Sequence, residues 1–476
     1  MANTYASLIS GSDLRGHFTA LTPEAARLAA RAFARMLSEQ LHKPASSLRL
    51  AAGRDSRLSG PALLAAVLSG FADEGASVID CGLATTPAMF AACTRHETQA
   101  DGAVMVTASH LPADRNGLKF FTRQGGLSHA DIAALTDAMA SPNAFDAPAA
   151  PYKTPLRAEF VKIYAETLRG MLRVATGEPR PLSGMRVVLD ASNGAGGFFA
   201  QQVLVPLGAD IEGSIGLEPD GCFPLHQPNP EDATALAALC GASRAAGAHL
   251  GILFDADVDR VAFCDAHGAP IARNRLIALC AALTLRRHPA SAIVTDSATS
   301  IGLGRFIASL GGTHVRHKRG YHNVIAEARR LGAPLAIETS GHAAFADNAF
   351  LDDGAYLACR LLASEVLMRR EGGSLLRLIE GFAEPPETRE ARMPVTPEEG
   401  ARLVAALVAC PRGLAAADER DGARLLLEVG GGYNAFVSAR FSVHDPVLVV
   451  CAQSEVPGGI DAARLVLESI GGMPPL

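Results

Sequence analysis

VMVTASHLPADRNGLKFF, residues 104–121, consists of two apolar runs separated by a polar loop that contains a proline. The first run reads as a buried strand and the last as another, and Ser109 falls where the first strand stops. In α/β sheets, ligands collect at the carboxyl ends of the strands, so a serine there is a candidate nucleophile or phosphate carrier. No G-x-S-x-G turn surrounds it, which sets the α/β-hydrolase reading aside. His110 could act as a base, but neighbouring residues of an extended chain point to opposite sides. Lys119, on the second run, can return to the same edge and steady a phosphate.

Working outward, strand-like runs alternate with amphipathic helical runs. Thr22 and Pro23 read as the N-cap and first residue of a helix over EAARLAARAFARMLSEQL, followed by a strand LRLAAG at 48–53, a helix in GPALLAAVLSGFADEG and a strand ASVIDCG. The alternation restarts at MRVVLDASNGAGG (185–197), with a helix expected directly after it, and again at SAIVTDSATS (291–300). Three passes predict three similar α/β domains with mixed, largely parallel sheets. After about residue 380 a segment containing EPPETREARMPVTPEEG leads into a helix, then strands RLLLEV, YNAFVSARFSV and VLVVCAQSE, and a last helix from about Ile460. That pattern predicts a smaller α+β domain. The expected limits are 1–150, 151–270, 271–378 and 379–476, the first drawn through the proline-rich segment 141–155.

A length of 476 residues suits three or four domains, and 49% hydrophobic with 19% charged residues suits globular cores rather than disorder. The formal charge of -6 gives no general attraction to nucleic acid or to an anionic membrane, so the expected partners are small molecules met by local arginines and lysines. The nine cysteines form no C-x-x-C pair and no group with histidines, which argues against structural zinc and against a disulfide framework. MANTYASLISGSDLRG has no basic segment followed by an apolar core, and no stretch of about 20 apolar residues occurs, so a cytoplasmic location is expected.

GILFDADVDRVAFCD (251–265) carries the sharpest chemical signal. Asp255, Asp257 and Asp259 alternate, and the two-residue period of extended chain would place all three carboxylates on one side. Acids so close between apolar runs repel unless a cation sits among them, and oxygen ligands of this kind suit Mg²⁺. An EF-hand starting at Asp255 would need glycine and glutamate where Arg260 and Ala266 stand, so that reading fails. LFDADV also resembles the aspartate-nucleophile motif of haloacid-dehalogenase-like phosphatases and phosphomutases, in which Asp255 itself would carry phosphate. IETSGHAAF (337–345) offers Glu338 and Ser340 for sugar hydroxyls and His342 for proton relay. HKRGYHN (317–323), with Lys318, is a basic run suited to a phosphate or sugar. ARFSVHDP (439–446) pairs Arg440 with Ser442 in a form able to hold a phosphate dianion. NGAGG (193–197) places Phe199 where a dinucleotide fingerprint wants glycine or alanine, and reads better as a tight turn.

Taken in order, these stretches resemble the α-D-phosphohexomutase family, in its phosphomannomutase and phosphoglucomutase branch. SGSDLRG, GRDSRLSG, TASHLPADRNGLKF, VVLDASNGAGG, EPDGCFPLHQPNPE, DADVDR, ETSGH and ARFSVHDP span nearly the whole chain. The resemblance implies three α/β domains and a TATA-binding-protein-like α+β domain around one cleft. It implies interconversion of hexose 1-phosphates and 6-phosphates, of mannose or glucose, through a phosphoserine and a hexose 1,6-bisphosphate. Ser109 would carry the phosphoryl group and join Asp255, Asp257 and Asp259 in holding Mg²⁺. Arg15, Arg260 and Lys119 would offset charge, with Lys119 or His342 carrying protons. Glu338, Ser340, His342 and Lys318 would contact the sugar, and Arg440 and Ser442 the resting phosphate. Ala256 and Val258 depart from glycines found in many relatives, and Tyr321 from a frequent histidine. The rival readings are an aspartyl-phosphate phosphatase or mutase using Asp255, and a non-catalytic sugar-phosphate-binding paralogue.

Overall fold

The computed structural model describes residues 3–94, 98–141, 154–416, 420–442 and 447–476, so the expected boundary at 150 lies outside the described residues. The chain divides into two compact units, Met1–Ile271 with Ser340–Ala343 and Leu351–Ser374, and Ala272–Thr339 with Ala344–Phe350 and Leu375–Leu476.

In the first unit, an eight-stranded mixed sheet has the parallel strands Gly102–Val106, Arg49–Arg54 and Ser77–Leu83 side by side, while Arg115–Thr122 closes antiparallel on Gly102–Val106. The helix Pro23–Leu41 starts as the sequence predicts, with Thr22 accepting from the Ala25 N–H and Pro23 in the first turn. It packs on the helix Gly60–Asp73, where a Cβ on Gly70 would lie 2.4 Å from the Arg27 carbonyl oxygen, so only glycine permits that approach. Phe33, Phe71 and Phe120 fill the core beneath, with Phe33 ring centroids 6.4 and 5.1 Å from the other two.

A second sheet runs Pro270–Ile271, Val261–Cys264, Leu250–Phe254, Val187–Asp190. Its last two strands are parallel, and Val261–Cys264 returns antiparallel after the acid loop. The helix Gly354–Arg370 packs here against Phe160–Thr176, tied by Tyr164 Oη donating to Asp353 Oδ1 at 2.5 Å. The regular helix expected after NGAGG is instead a π-helical turn, Ala200–Leu204, running into the 3₁₀ turn Val205–Leu207. Pro206 explains the change: it cannot donate to the Gln202 carbonyl, and Arg169 donates there instead.

In the second unit, Thr313–His317, Ala292–Asp296, Leu335–Ile337 and Ala343–Phe345 form a third sheet, with Ala292–Asp296 parallel to both neighbours. The fourth is antiparallel, in the order Glu387–Pro394, Val447–Ser454, Gly432–Phe441, Ala423–Val429, Leu414–Ala415. The helices Pro397–Val408 and Gly459–Ile470 cover its apolar face. The predicted class, three α/β domains and one α+β domain, is the one observed. Glu387–Pro394 is an edge strand where the sequence reading placed only a connecting segment. Its charged, largely exposed side chains and terminal proline are the usual disguise of an edge.

A buried pair staples the loop 218–231 to the second sheet. His226 Nε2 lies 2.8 Å from Asp190 Oδ2, and Asp190 Oδ1 accepts the Ser192 N–H at 2.9 Å. Burial draws the imidazole pKa down, but the hydrogen bond and charge of Asp190 prevail and raise it. A raised folded-state pKa gives stability that is fully present below the unfolded value of about 6.5 and fades as pH rises through the folded one. His226→Gln should therefore cost roughly 1–3 kcal/mol in urea unfolding at about pH 5.5 and distinctly less at about pH 9.

Candidate active site

The strand Gly102–Val106 ends in a loop whose shape is imposed by buried polar groups. Thr107 Oγ1 donates to Asp55 Oδ2 at 2.7 Å and accepts the Ser109 N–H at 2.8 Å. Ser109 is fully buried with φ +52°, a conformation that a non-glycine residue holds only when its surroundings enforce it. Arg57 supplies that enforcement. Its fully buried guanidinium donates to the carbonyls of Ser109, Leu111 and Pro112 at 2.6 Å each and of Arg115 at 2.9 Å, and to Asp55 at 3.1 Å. Neither Arg57 nor Asp55 was singled out from sequence. The available signal was an Asp-x-Arg at the end of the strand LRLAAG, on the same sheet edge as Ser109.

The acid loop is a turn, not the extended segment expected, since Val258 adopts φ +69°. The carboxylates still converge: ligand atoms of Asp255, Asp257 and Asp259 all lie within 4.8 Å of one another, and all three residues are buried. The turn is held through its carbonyls. Ala195 N–H donates to Ala256 O at 2.8 Å, Thr86 N–H to Asp257 O at 2.9 Å, and Gly354 N–H to Val258 O at 3.0 Å. NGAGG is thus a buttress for this loop, for a Cβ on Gly194 would sit 2.6 Å from Ala256 Cα.

Four of the predicted residues, Ser109, Lys119, Arg260 and His342, reach the acids, Arg260 through its backbone N–H to Asp255 Oδ1 at 3.3 Å. Ser109 Oγ donates to Asp255 Oδ2 at 2.8 Å, and Lys119 Nζ donates to Asp257 Oδ2 at 2.8 Å and Asp259 Oδ2 at 2.5 Å. Arg260 Nε lies 3.2 Å from His342 Nε2, which also lies 3.5 Å from Asp259 Oδ1. Ser340 Oγ is 3.1 Å from His342 Nδ1. Arg15 is buried and paired with Asp13 at 2.7 Å, and both act electrostatically on Lys119.

Burial and the neighbouring acids push the Asp255 carboxyl well above the usual range, against Arg260 and Lys119. For Asp259 burial pushes up too, but Lys119 and His342 prevail and hold it well below. Burial draws Lys119 down, yet Asp257 and Asp259 raise it on balance, so it is held as an ammonium. Burial and Arg260 draw His342 down, and Asp259 and Asp352 outweigh them, so it is pushed up to about 9. Asp257 Oδ1 is buried and accepts no hydrogen bond, and Asp259 Oδ1 has only His342 at 3.5 Å. Buried carboxylate oxygens left so are costly, and a hard cation is what would satisfy them. The acid group therefore fits a metal.

The remaining predicted residues lie in the second unit. Glu338 Oε1 accepts the Gly320 N–H at 2.7 Å, and Lys318 is exposed. Arg440 is largely buried, and burial followed by Arg319 lowers its pKa. Ser442 N–H donates to Val447 O at 2.9 Å, while 443–446 of the expected phosphate loop lie outside the described residues. Sequence reasoning missed Arg424 and Asp421. Arg424 stacks 3.5 Å over the Phe436 ring and donates to the carbonyls of Ser297 and Thr299, and Asp421 Oδ2 accepts from Ser297 Oγ at 2.8 Å.

Family models of phosphoglucomutase/phosphomannomutase match in three consecutive pieces: alpha/beta/alpha domain I over residues 7–143, domain II over 162–268 and domain III over 272–384. The chain belongs to the phosphoglucomutase/phosphomannomutase family. Among relatives of the family, a phosphomannomutase/phosphoglucomutase of Pseudomonas syringae pv. tomato is 31% identical over 88% of this chain and 85% of its own. A phosphoglucosamine mutase of Gluconacetobacter diazotrophicus is 34% identical over 88% of this chain and 90% of its own. The solved structure of a phosphoglucomutase/phosphomannomutase family protein from Burkholderia thailandensis superposes with a TM-score of 0.82 at 26% identity, covering 99% of each chain.

If Arg57 sets the Ser109 loop, Arg57→Met should destabilise this family member by roughly 3–5 kcal/mol in denaturant unfolding, because Asp55 stays buried without its cation. Arg57→Lys, which keeps the charge but not the fork of donors, should fall between the two.

Proposed function

We propose that this chain is a phosphohexomutase that interconverts hexose 1-phosphates and 6-phosphates of mannose or glucose, with Ser109 as the phosphate carrier. The observation that carries this reading is the 2.8 Å hydrogen bond from Ser109 Oγ to Asp255, one member of a buried acid trio also touched by Lys119. A serine on an ordinary turn has no reason to be buried in a strained conformation against three carboxylates.

In the first half-reaction the bond between phosphorus and the Ser109 oxygen breaks as phosphorus bonds to the free hydroxyl of the hexose phosphate. The attacking hydroxyl gives up its proton and the departing serine oxygen gains one; Lys119, as the ammonium, donates to the serine oxygen, and His342, in its neutral form, accepts from the hydroxyl. The resulting hexose 1,6-bisphosphate returns its other phosphoryl group to Ser109 by the reverse step. Mg²⁺, held by Asp255, Asp257, Asp259 and the phosphate on Ser109, would neutralise charge on the transferring group. Lys119, kept as an ammonium by its two acids, and the buried Arg15 and Arg260 add positive charge around Ser109. Glu338, Ser340, His342 and Lys318 bind sugar hydroxyls, and Arg440 with Ser442 holds the phosphate that is not reacting. Among the described residues no helix is long and apolar enough to cross a membrane.

Incubation with hexose 1,6-bisphosphate should leave one phosphoryl group on Ser109 by peptide mass mapping, and Ser109→Ala should lose both the label and turnover. A chelator should abolish turnover, and Mg²⁺ should restore it. Label retained in Ser109→Ala but lost in Asp255→Ala would overturn the reading in favour of an aspartyl phosphate. Ratios of kcat/KM for mannose, glucose and glucosamine 1-phosphates settle the sugar, for which glucosamine should be the poorest.

A further inference from the structure

We infer that Thr86 is a positioning residue for the central metal-binding carboxylate, Asp257, an inference that rests on the function proposed above. Thr86 opens the helix Thr86–Thr94, in a segment to which the sequence reading assigned no role. Two threonines stand at this helix start and divide the work. Thr85 Oγ1 accepts the Ala88 N–H at 3.2 Å and so serves as the cap, which leaves the Thr86 hydroxyl for another partner.

That partner is Asp257, gripped at two points. The Thr86 hydroxyl donates to Asp257 Oδ2 at 2.5 Å, and the Thr86 N–H donates to the Asp257 carbonyl at 2.9 Å. Lys119 reaches the same Oδ2 but is shared with Asp259, so Thr86 is the side-chain donor specific to Asp257. With two donors on Oδ2, the carboxylate cannot turn freely about its Cβ–Cγ bond. Its Oδ1, buried and accepting no hydrogen bond, is the oxygen left to a metal. The helix can hold such a position because residues 86–93 are all buried, with the Phe90 ring edge-on to Phe121 at 5.9 Å. Its N-terminal end also favours negative charge. Groups that orient metal ligands from behind change metal affinity by about 10–100-fold when removed.

The test uses the full chain and Mn²⁺ as the probe, its free concentration read by electron paramagnetic resonance, with Mg²⁺ followed by competition. Thr86→Val removes the hydroxyl and keeps the N–H, and should weaken Mn²⁺ binding about 10–100-fold. Thr86→Ser should bind like the wild type. Turnover by Thr86→Val should fall at low Mg²⁺ and recover at saturating Mg²⁺, with KM for the sugar phosphate little changed. Thr86→Ala carries the same prediction should valine perturb the packed helix. Unchanged Mn²⁺ affinity in Thr86→Val, with only a lowered Tm, would make Thr86 merely structural and overturn the inference. Asp257→Asn separates the two readings. If it binds Mn²⁺ as the wild type does, the acid trio is not the metal site and the proposed function fails with it. If it binds poorly while Thr86→Val binds normally, only the role of Thr86 falls.

Discussion

Three carboxylates within 4.8 Å of one another inside an apolar core are the constraint to which the first unit is built. Such a group repels itself and resists desolvation, so the surrounding chain must supply both positive charge and rigidity. Lys119, Arg260 and His342 supply the charge. Rigidity comes from three backbone donors, Ala195, Thr86 and Gly354, that take consecutive carbonyls of the loop and turn its side chains the other way. This clamp lets Val258, a β-branched residue, stay at φ +69°.

The serine loop solves the same problem with a different tool. Ser109 also holds a left-handed conformation, and here a single arginine collects four carbonyls of the loop, those of Ser109, Leu111, Pro112 and Arg115. Arg57 can do this because its planar fork presents several donors at once and Asp55 balances its charge. In the second unit Arg424 plays a comparable part for the segment 297–299, stacked on Phe436 from the adjacent strand. The serine loop is thereby fixed by a buried cation, and the acid loop by a glycine turn, on a neighbouring element.

The alternation of strand and helix was legible because apolar periodicity is local, and so were Ser109, Lys119 and the acid trio, whose residue types are out of place between apolar runs. The reason given for the trio was wrong in detail: the acids converge through a turn, not through the period of a strand. Arg57, Asp55, Thr86, Arg424 and Asp421 were not legible as working residues. An arginine or threonine after a strand looks like any surface turn residue until the groups it meets, 171 positions away for Thr86, are known. Glu387–Pro394 was hidden for a related reason, since an edge strand gains its identity from its single neighbour, Val447–Ser454.

The decisive measurement is anomalous diffraction from crystals of the full chain grown with Mn²⁺. The account predicts one strong peak bound by oxygens of Asp255, Asp257 and Asp259, next to the Ser109 side chain. Saturating Mn²⁺ with no peak at those carboxylates, or a peak held by other residues, would contradict it.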